Sequence, residues 1–339
     1  MTKSSTDLPS VKTSLIEVTD KLSNPPCRIF FKNEYLQPSG SFKLRGIGYM
    51  LEQKIKEAKK LNKSKVIVFS SSGGNAGLAA AYAAKYYNVE CTVVLPTVST
   101  QLTINKLNEL GANVIVHGDH WGEADEYLRE IVMKSIDEKN DYPVYCHPFD
   151  DDLIWKGHSK IVTEIIEENQ LPNLDNVKGI VCSAGGGGMY NGLVEGLKSL
   201  KENDIPILVM ETLQAPTFHE TIEQNKLITL KSLKTLASSL GSPYLSSKAF
   251  ENYKSHPTYL GLIDDLDALK GTIDLYDKFD ILTEPACGAS ISTVFDKKDL
   301  LIKNFKNLKK DDIIIIIVCG GSSANEGTLD FYRKLIKDQ

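Results

Sequence analysis

No apolar run in the 339 residues reaches ~18, the length a membrane-spanning helix needs. There is no excess of positive charge either: 39 Lys and Arg stand against 44 Asp and Glu, a net charge of -5. Binding to a phosphate backbone needs a basic surface, so nucleic acid is not expected as a partner. The six cysteines, at 27, 91, 146, 182, 287 and 319, form no CxxC pair and no metal-ligand spacing. They read as reduced, buried thiols. The first twenty residues carry Asp7, Glu17 and Asp20 and no Arg, unlike a signal or transit peptide, so a cytoplasmic location is expected. No internal repeat and no low-complexity segment interrupts the chain. Hydrophobic residues at 42% and charged residues at 24% are ordinary for a globular protein of about two domains.

What is present is an alternation of short apolar runs and helical patterns. Val66 to Phe69, Cys91 to Leu95, Val114 to Val116, Pro143 to Cys146, Gly179 to Cys182, Ile205 to Met210 and Ile313 to Val318 read as strands. Helices are predicted over 76–87, 103–110, 123–139, 156–168 and 190–200. The run Ile313 to Val318 is apolar and β-branched throughout, as a parallel strand covered on both faces would be. The pattern predicts an α/β architecture. A domain boundary falls near Pro148-Phe149-Asp150, and the charged segment from about 243 to 275 has no readable pattern.

Three strands run into glycine-rich loops: Ser70-Ser71-Ser72-Gly73-Gly74-Asn75-Ala76-Gly77, Cys182-Ser183-Ala184-Gly185-Gly186-Gly187-Gly188-Met189, and Val318-Cys319-Gly320-Gly321-Ser322. Open α/β sheets bind ligands at the carboxyl ends of their strands. Glycine there lets backbone N–H groups approach an anion, with a helix dipole behind them. Four consecutive glycines before a helix suit a phosphate, although a flexible turn has the same composition. Neither G-x-G-x-x-G nor a P-loop fits, because position 190 is Tyr and no Gly-Lys-Ser/Thr follows. The Ser-rich loop suits a carboxylate or a phenolic oxygen, and by itself is equally an ordinary helix cap. In Gln37-Pro38-Ser39-Gly40-Ser41-Phe42-Lys43-Leu44-Arg45-Gly46, turn residues precede a helix whose first turn holds Lys43. The helix dipole opposes that charge and favours a nucleophilic amine, while a solvated surface lysine fits the same pattern.

Ser39-Gly40-Ser41-Phe42-Lys43-Leu44-Arg45-Gly46 resembles the lysine signature of the catabolic L-serine/threonine dehydratases, fold-type II enzymes that use pyridoxal phosphate. Ser72-Gly73-Gly74-Asn75-Ala76-Gly77 resembles the family's substrate-carboxylate loop, and the tetraglycine its phosphate site. Glu284-Pro285-Ala286-Cys287-Gly288-Ala289 and Cys319-Gly320-Gly321-Ser322 are similar to its late motifs. The resemblance implies two open twisted α/β domains with mostly parallel sheets. A small one over 34–148 would carry the lysine and the carboxylate loop. A large one, 1–33 plus 149–339, would carry the phosphate loop, a cation site and the partner of the pyridine nitrogen.

It further implies that Lys43 bonds the cofactor and moves the substrate's Cα proton, with Phe42 against the pyridine ring. Gly185, Gly186, Gly187, Gly188 and Met189 would hold the phosphate, Asn75 the 3'-oxygen, and Cys319 would face the ring nitrogen. Ser72, Gly73, Asn75 and Ala76 would bind substrate. Gly185, Glu211, Ala215, Leu240 and Ser242 match a monovalent-cation site for an ion such as K+. The implied reaction converts L-serine to pyruvate and ammonia, and L-threonine to 2-oxobutyrate and ammonia. Serine racemisation, β-replacement, or a weakly active cofactor-binding relative are the alternatives. A homodimer is the expected assembly, acting on a small-molecule amino acid. Only about twenty residues follow the Cys319 loop, so an allosteric module is not expected. Position 73 departs from the family, being Gly where many of these enzymes carry Ala; the missing methyl is expected to enlarge the substrate pocket and loosen the loop.

Overall fold

In the computed structural model, residues 8–168, 170–231, 233–322 and 324–338 are described. The strands are β1 (Leu15–Glu17), β2 (Arg28–Lys32), β3 (Lys65–Ser70), β4 (Glu90–Leu95) and β5 (Asn113–Val116). They continue as β6 (Asp141–Tyr145), β7 (Val177–Ser183), β8 (Ile207–Thr212), β9 (Thr258–Ile263) and β10 (Ile313–Ile317). The α-helices are α1 (Lys43–Lys60), α2 (Asn75–Tyr87), α3 (Gln101–Glu109), α4 (Trp121–Tyr127), α5 (Asp152–His158), α6 (Lys160–Ile166) and α7 (Gly188–Ser199). After them come α8 (Thr217–Glu223), α9 (Ser247–Ser255), α10 (Asp265–Phe279), α11 (Pro285–Ile291), α12 (Lys298–Asn304) and α13 (Glu326–Lys337).

The chain divides into two compact units. One joins the described residues up to Val11 to Gln37–Gly157; the other joins Lys12–Leu36 to His158–Gln339. The N-terminal segment is thus shared, whereas the motifs suggested boundaries at 34 and 148 with all of 1–33 in the larger domain. Side-chain hydrogen bonds explain the sharing. Gln37 Oε1 accepts the Val11 amide at 3.0 Å and Gln37 Nε2 donates to the Val11 carbonyl at 2.8 Å, tying the segment's start to the first unit.

The first unit is built on a four-stranded sheet in the order β5-β4-β3-β6, parallel at every pairing. Its core packs α1 and α2 against the sheet through Leu44, Ile47, Met50, Leu51, Val68 and Val93. Ala79, Ala80, Ala83 and Ala84 of α2 are essentially unexposed. Alanine there favours the helix and keeps its inner face short enough to lie close to its neighbours.

The second unit has six strands in the order β1-β2-β10-β7-β8-β9, with only the β1–β2 pair antiparallel. The five isoleucines of β10 lie between β2 and β7 and are buried on both faces. This is why the strand is apolar without alternation.

Candidate active site

In the first unit the chemistry-bearing residues gather at the carboxyl ends of β3 and β6 and at the starts of α1 and α2. Lys43 is the first residue of α1, as the turn sequence before it predicts. Its Nζ donates to the Pro148 carbonyl oxygen at 2.5 Å and lies 5.1 Å from the centre of the Phe42 ring. The hydroxyl oxygens of Ser39 and Ser41, just before it, are buried without hydrogen-bond partners.

The loop after β3 leads into α2, which begins at Asn75 with Gly74 at its cap. Ser72 Oγ accepts the Gly74 amide at 3.3 Å, holding the loop in a tight turn. Gly77 cannot be replaced, because a Cβ there would lie 1.7 Å from the Ser72 carbonyl oxygen. Gly73 behaves differently from the expectation that its missing methyl enlarges the substrate pocket. A Cβ built on it would face Leu95 Cδ2 at 3.1 Å, Ser99 Oγ at 3.4 Å and Thr103 Cγ2 at 3.6 Å. The vacated volume is bounded by the end of β4 and the start of α3.

Behind this loop lies a cluster that sequence reasoning missed. Asp125 of α4, 6% exposed, accepts from Ser71 Oγ at 2.7 Å, Tyr145 OH at 2.5 Å and Arg129 Nε at 2.8 Å. Burial first, and then the bond to Asp125, push the Tyr145 phenol far above its usual range. His147 follows two residues later, edge-on to both Tyr145 and Phe149. Burial pushes its imidazole down to about 4. One signal was available: His147-Pro148 directly follows a strand, where α/β sheets place ligand-facing groups.

The second unit holds the other motif residues. β7 runs into the tetraglycine, and α7 begins at Gly188. Gly187 has φ +88°, in the left-handed region, and a Cβ there would lie 2.6 Å from that of Ala249. The turn therefore requires glycine. A 12-residue helix then presents its amino end at the carboxyl end of a parallel strand, an arrangement suited to an anion. Cys319 follows β10 and is 7% exposed. The neighbouring Cys287 thiol together with burial holds its thiol well above the usual range, so it stays protonated.

Glu211, near the end of β8, is 1% exposed. Its Oε1 accepts the Phe218 amide at 2.7 Å and its Oε2 the His219 amide at 2.8 Å. Burial nevertheless pushes the carboxyl up to about 8. Ala215, Leu240 and Ser242 are buried in the same unit, and the Leu240 carbonyl oxygen lies 2.8 Å from the place a Gly185 Cβ would take. Thr217 Oγ1 donates to the Ser242 carbonyl at 2.6 Å. Among the described residues no group of three or more His, Cys, Asp or Glu side chains could hold a metal.

Two α/β units that place a lysine, a serine-rich loop and a glycine cradle at the carboxyl ends of parallel strands define a fold-type II enzyme architecture. The chain belongs to the pyridoxal-phosphate dependent enzymes, whose family model matches residues 8–320. An L-serine dehydratase of Saccharomyces cerevisiae is 41% identical over 315 residues, covering 92% of this chain and 93% of that protein. A catabolic L-serine/threonine dehydratase of the same species is 40% identical over 314 residues, covering 91% and 87%. Among solved structures, a fungal L-serine ammonia-lyase from Rhizomucor miehei superposes with a TM-score of 0.85 at 29% identity, covering 97% of this chain and 99% of that one.

Proposed function

We propose that this chain deaminates L-serine to pyruvate and L-threonine to 2-oxobutyrate, releasing ammonia, by a loss of water that a later hydrolysis restores. What carries the reading is 41% identity with an L-serine dehydratase across 92% of the chain. The residues present fit pyridoxal phosphate. Lys43 supplies an amine at a helix start, the buried hydroxyls of Ser39 and Ser41 await polar partners, and the tetraglycine leads into a helix amino end. When bound, the cofactor supplies the electron sink that lets the Cα proton leave.

The chain's own residues do the rest. Lys43 is the amine that would hold the cofactor, and as a free base it is the group placed to take the proton from Cα. Ser72, with Gly73, Asn75 and Ala76, holds the substrate carboxylate through hydroxyl and amide donors. Asn75 would also donate to the cofactor's 3'-oxygen. Phe42 would pack against the pyridine ring. Gly185 to Gly188 and Met189 would hold the phosphate through backbone N–H groups. Cys319, a protonated thiol, would face the ring nitrogen and would offer no negative charge to it. The β-hydroxyl would leave as water, taking up the proton that the Lys43 amine had removed from Cα, and another water would hydrolyse the released enamine to the 2-oxo acid and ammonia.

Glu211, with carbonyl groups of Gly185, Ala215, Leu240 and Ser242, would hold K+ or a similar ion. The support is a buried carboxylate whose charge burial disfavours, and, in the same unit, a close approach of the Gly185 and Leu240 backbones. Six free, buried cysteines fit a reducing compartment such as the cytoplasm. A homodimer is the assembly to test by light scattering. The test of function is to incubate the protein separately with L-serine and L-threonine and to assay the 2-oxo acids. Borohydride should fix the cofactor to the peptide containing Lys43. Net racemisation without 2-oxo acid, or a label on another lysine, would overturn the assignment.

A further inference from the structure

We propose that His147 is a positioning residue whose Nδ1 aims the Pro148 carbonyl at the Lys43 amine. The geometry lies wholly within the first unit. His147 Nδ1 accepts the amide of Phe149 at 3.2 Å and that of Asp150 at 2.8 Å. A ring nitrogen that accepts two N–H groups carries no proton, so the imidazole is neutral and its hydrogen sits on Nε2. Burial, the largest influence on this group, keeps it neutral, as do the charges of Lys43 and Arg129 against that of Asp125.

The consequence follows from peptide planarity. The Phe149 N–H and the Pro148 C=O are the two ends of one trans peptide and point in opposite directions. Fixing the N–H on His147 therefore directs the C=O away from the imidazole. In that direction stands Lys43 Nζ, 2.5 Å from the oxygen. The far side of the turn is pinned as well, since Trp155 Nε1 donates to the Phe149 carbonyl at 2.7 Å. Tyr145, anchored on Asp125, and Phe149 pack edge-on against the ring and leave it little freedom to rotate.

The carbonyl does two things for the lysine. It gives the amine a fixed resting direction, and as an acceptor it favours the ammonium form, countering the dipole of α1. An amine that must take a proton from one carbon depends on such orientation. The inference rests on Lys43 being the proton-moving amine, yet part of its test does not use turnover.

Asn and Gln separate the roles of the two ring nitrogens. Asn can place an acceptor near the position of Nδ1, whereas Gln places its polar group near Nε2. In the whole chain freed of cofactor, and checked as folded by circular dichroism, competitive acylation of Lys43 is followed against pH by mass spectrometry. His147→Gln and His147→Leu should lower the Lys43 midpoint, and His147→Asn should restore it. In the loaded enzyme, kcat should fall roughly 10- to 100-fold for Gln and Leu, with KM within about threefold, since misplacement of ~1 Å can cost 10²-fold. Asn should recover most of that loss. Should Leu not fold, the Asn and Gln pair still decides. Equal behaviour of Asn and Gln, or an unshifted Lys43 midpoint in Gln, would overturn the proposal. Failure of the functional reading would instead appear as borohydride labelling away from Lys43, with the midpoint shift intact.

Discussion

Single atoms set the tolerances of the loop after β3. At Gly77 an added methyl would overlap the Ser72 carbonyl, whereas at Gly73 it would meet Leu95 Cδ2 at 3.1 Å, a contact tight by a few tenths of an ångström. Leu95 is fully buried and ends β4, so it yields only by moving the strand end or changing rotamer. Gly73→Ala should therefore push the loop, and Ser72 with it, rather than shrink an open pocket. The expected outcome is a fall in kcat/KM of roughly tenfold for both L-serine and L-threonine, as a displacement well under 1 Å would give. The double variant Gly73→Ala/Leu95→Val, which removes the opposing methyl group, should recover most of that loss. A change in the serine-to-threonine ratio with no recovery in the double variant would return Gly73 to the substrate pocket.

Among the elements, β8 and α8 together hold the carboxyl group of Glu211, whose burial sets a testable pH dependence. Its ordinary value is 4.5 and burial raises it to about 8. Between these values the folded chain keeps a proton that the unfolded chain has lost, so stability falls as pH rises through the window. A cation bound beside the carboxylate would favour the charged form and flatten that slope. Measured as the difference from Glu211→Gln, so that the opposite contributions of His147 and His256 below their ordinary 6.5 cancel, the wild type should lose thermal stability from about pH 5 to about pH 8 in tetramethylammonium buffer and lose less in KCl. The same slope in both buffers would remove the cation from this site.

How much of each element could be read depended on its surroundings. The strands buried on both faces, β7 and β10 above all, were plain as apolar runs. The helix expected over 123–139 is only α4 over Trp121–Tyr127, followed by a π-turn and a 3-10 turn, and that expected over 156–168 breaks at Ser159 between α5 and α6. Polar patterns continued across those breaks, so periodicity could not place them. The segment 243–275 had no readable pattern, yet it contains α9, β9 and most of α10. β9 is an edge strand with mixed burial, and Gly261 within it weakens the strand signal. The Asp264–Asp267 capping box was a usable start signal for α10. In the site, Lys43 and the glycine loops were visible because their chemistry is local. Asp125 and His147 were not, because Asp125 meets Ser71 from 54 positions away, and the Pro148 carbonyl next to His147 meets Lys43 from 105 positions away.

At the scale of the whole chain the N-terminal segment poses a folding problem, because β2 pairs with β10, almost three hundred residues later. One buried cluster fastens it in the second unit. Lys32, fully buried at the end of β2, donates from Nζ to Glu164 Oε2 of α6 at 2.7 Å, to the Thr13 carbonyl at 2.8 Å and to Gln170 Oε1 at 3.0 Å. The same Glu164 oxygen accepts the Thr13 amide at 3.2 Å, and Thr13 Oγ1 donates to Glu34 Oε1 at 2.7 Å. Each charge is thus removed from water and answered by the other. Replacing such a pair by neutral groups can be harmless, but removing one member strands its partner. Lys32→Met should destabilise the chain by about 3–5 kcal/mol, the usual cost of leaving a buried charge alone. Lys32→Met/Glu164→Gln should be more stable than Lys32→Met, because Gln carries no charge and still offers the Thr13 amide an oxygen. Denaturant unfolding of the wild type, both single variants and the double closes the cycle. If the two losses simply add, Lys32 and Glu164 act independently, and the segment is held by the β2–β10 pairing instead.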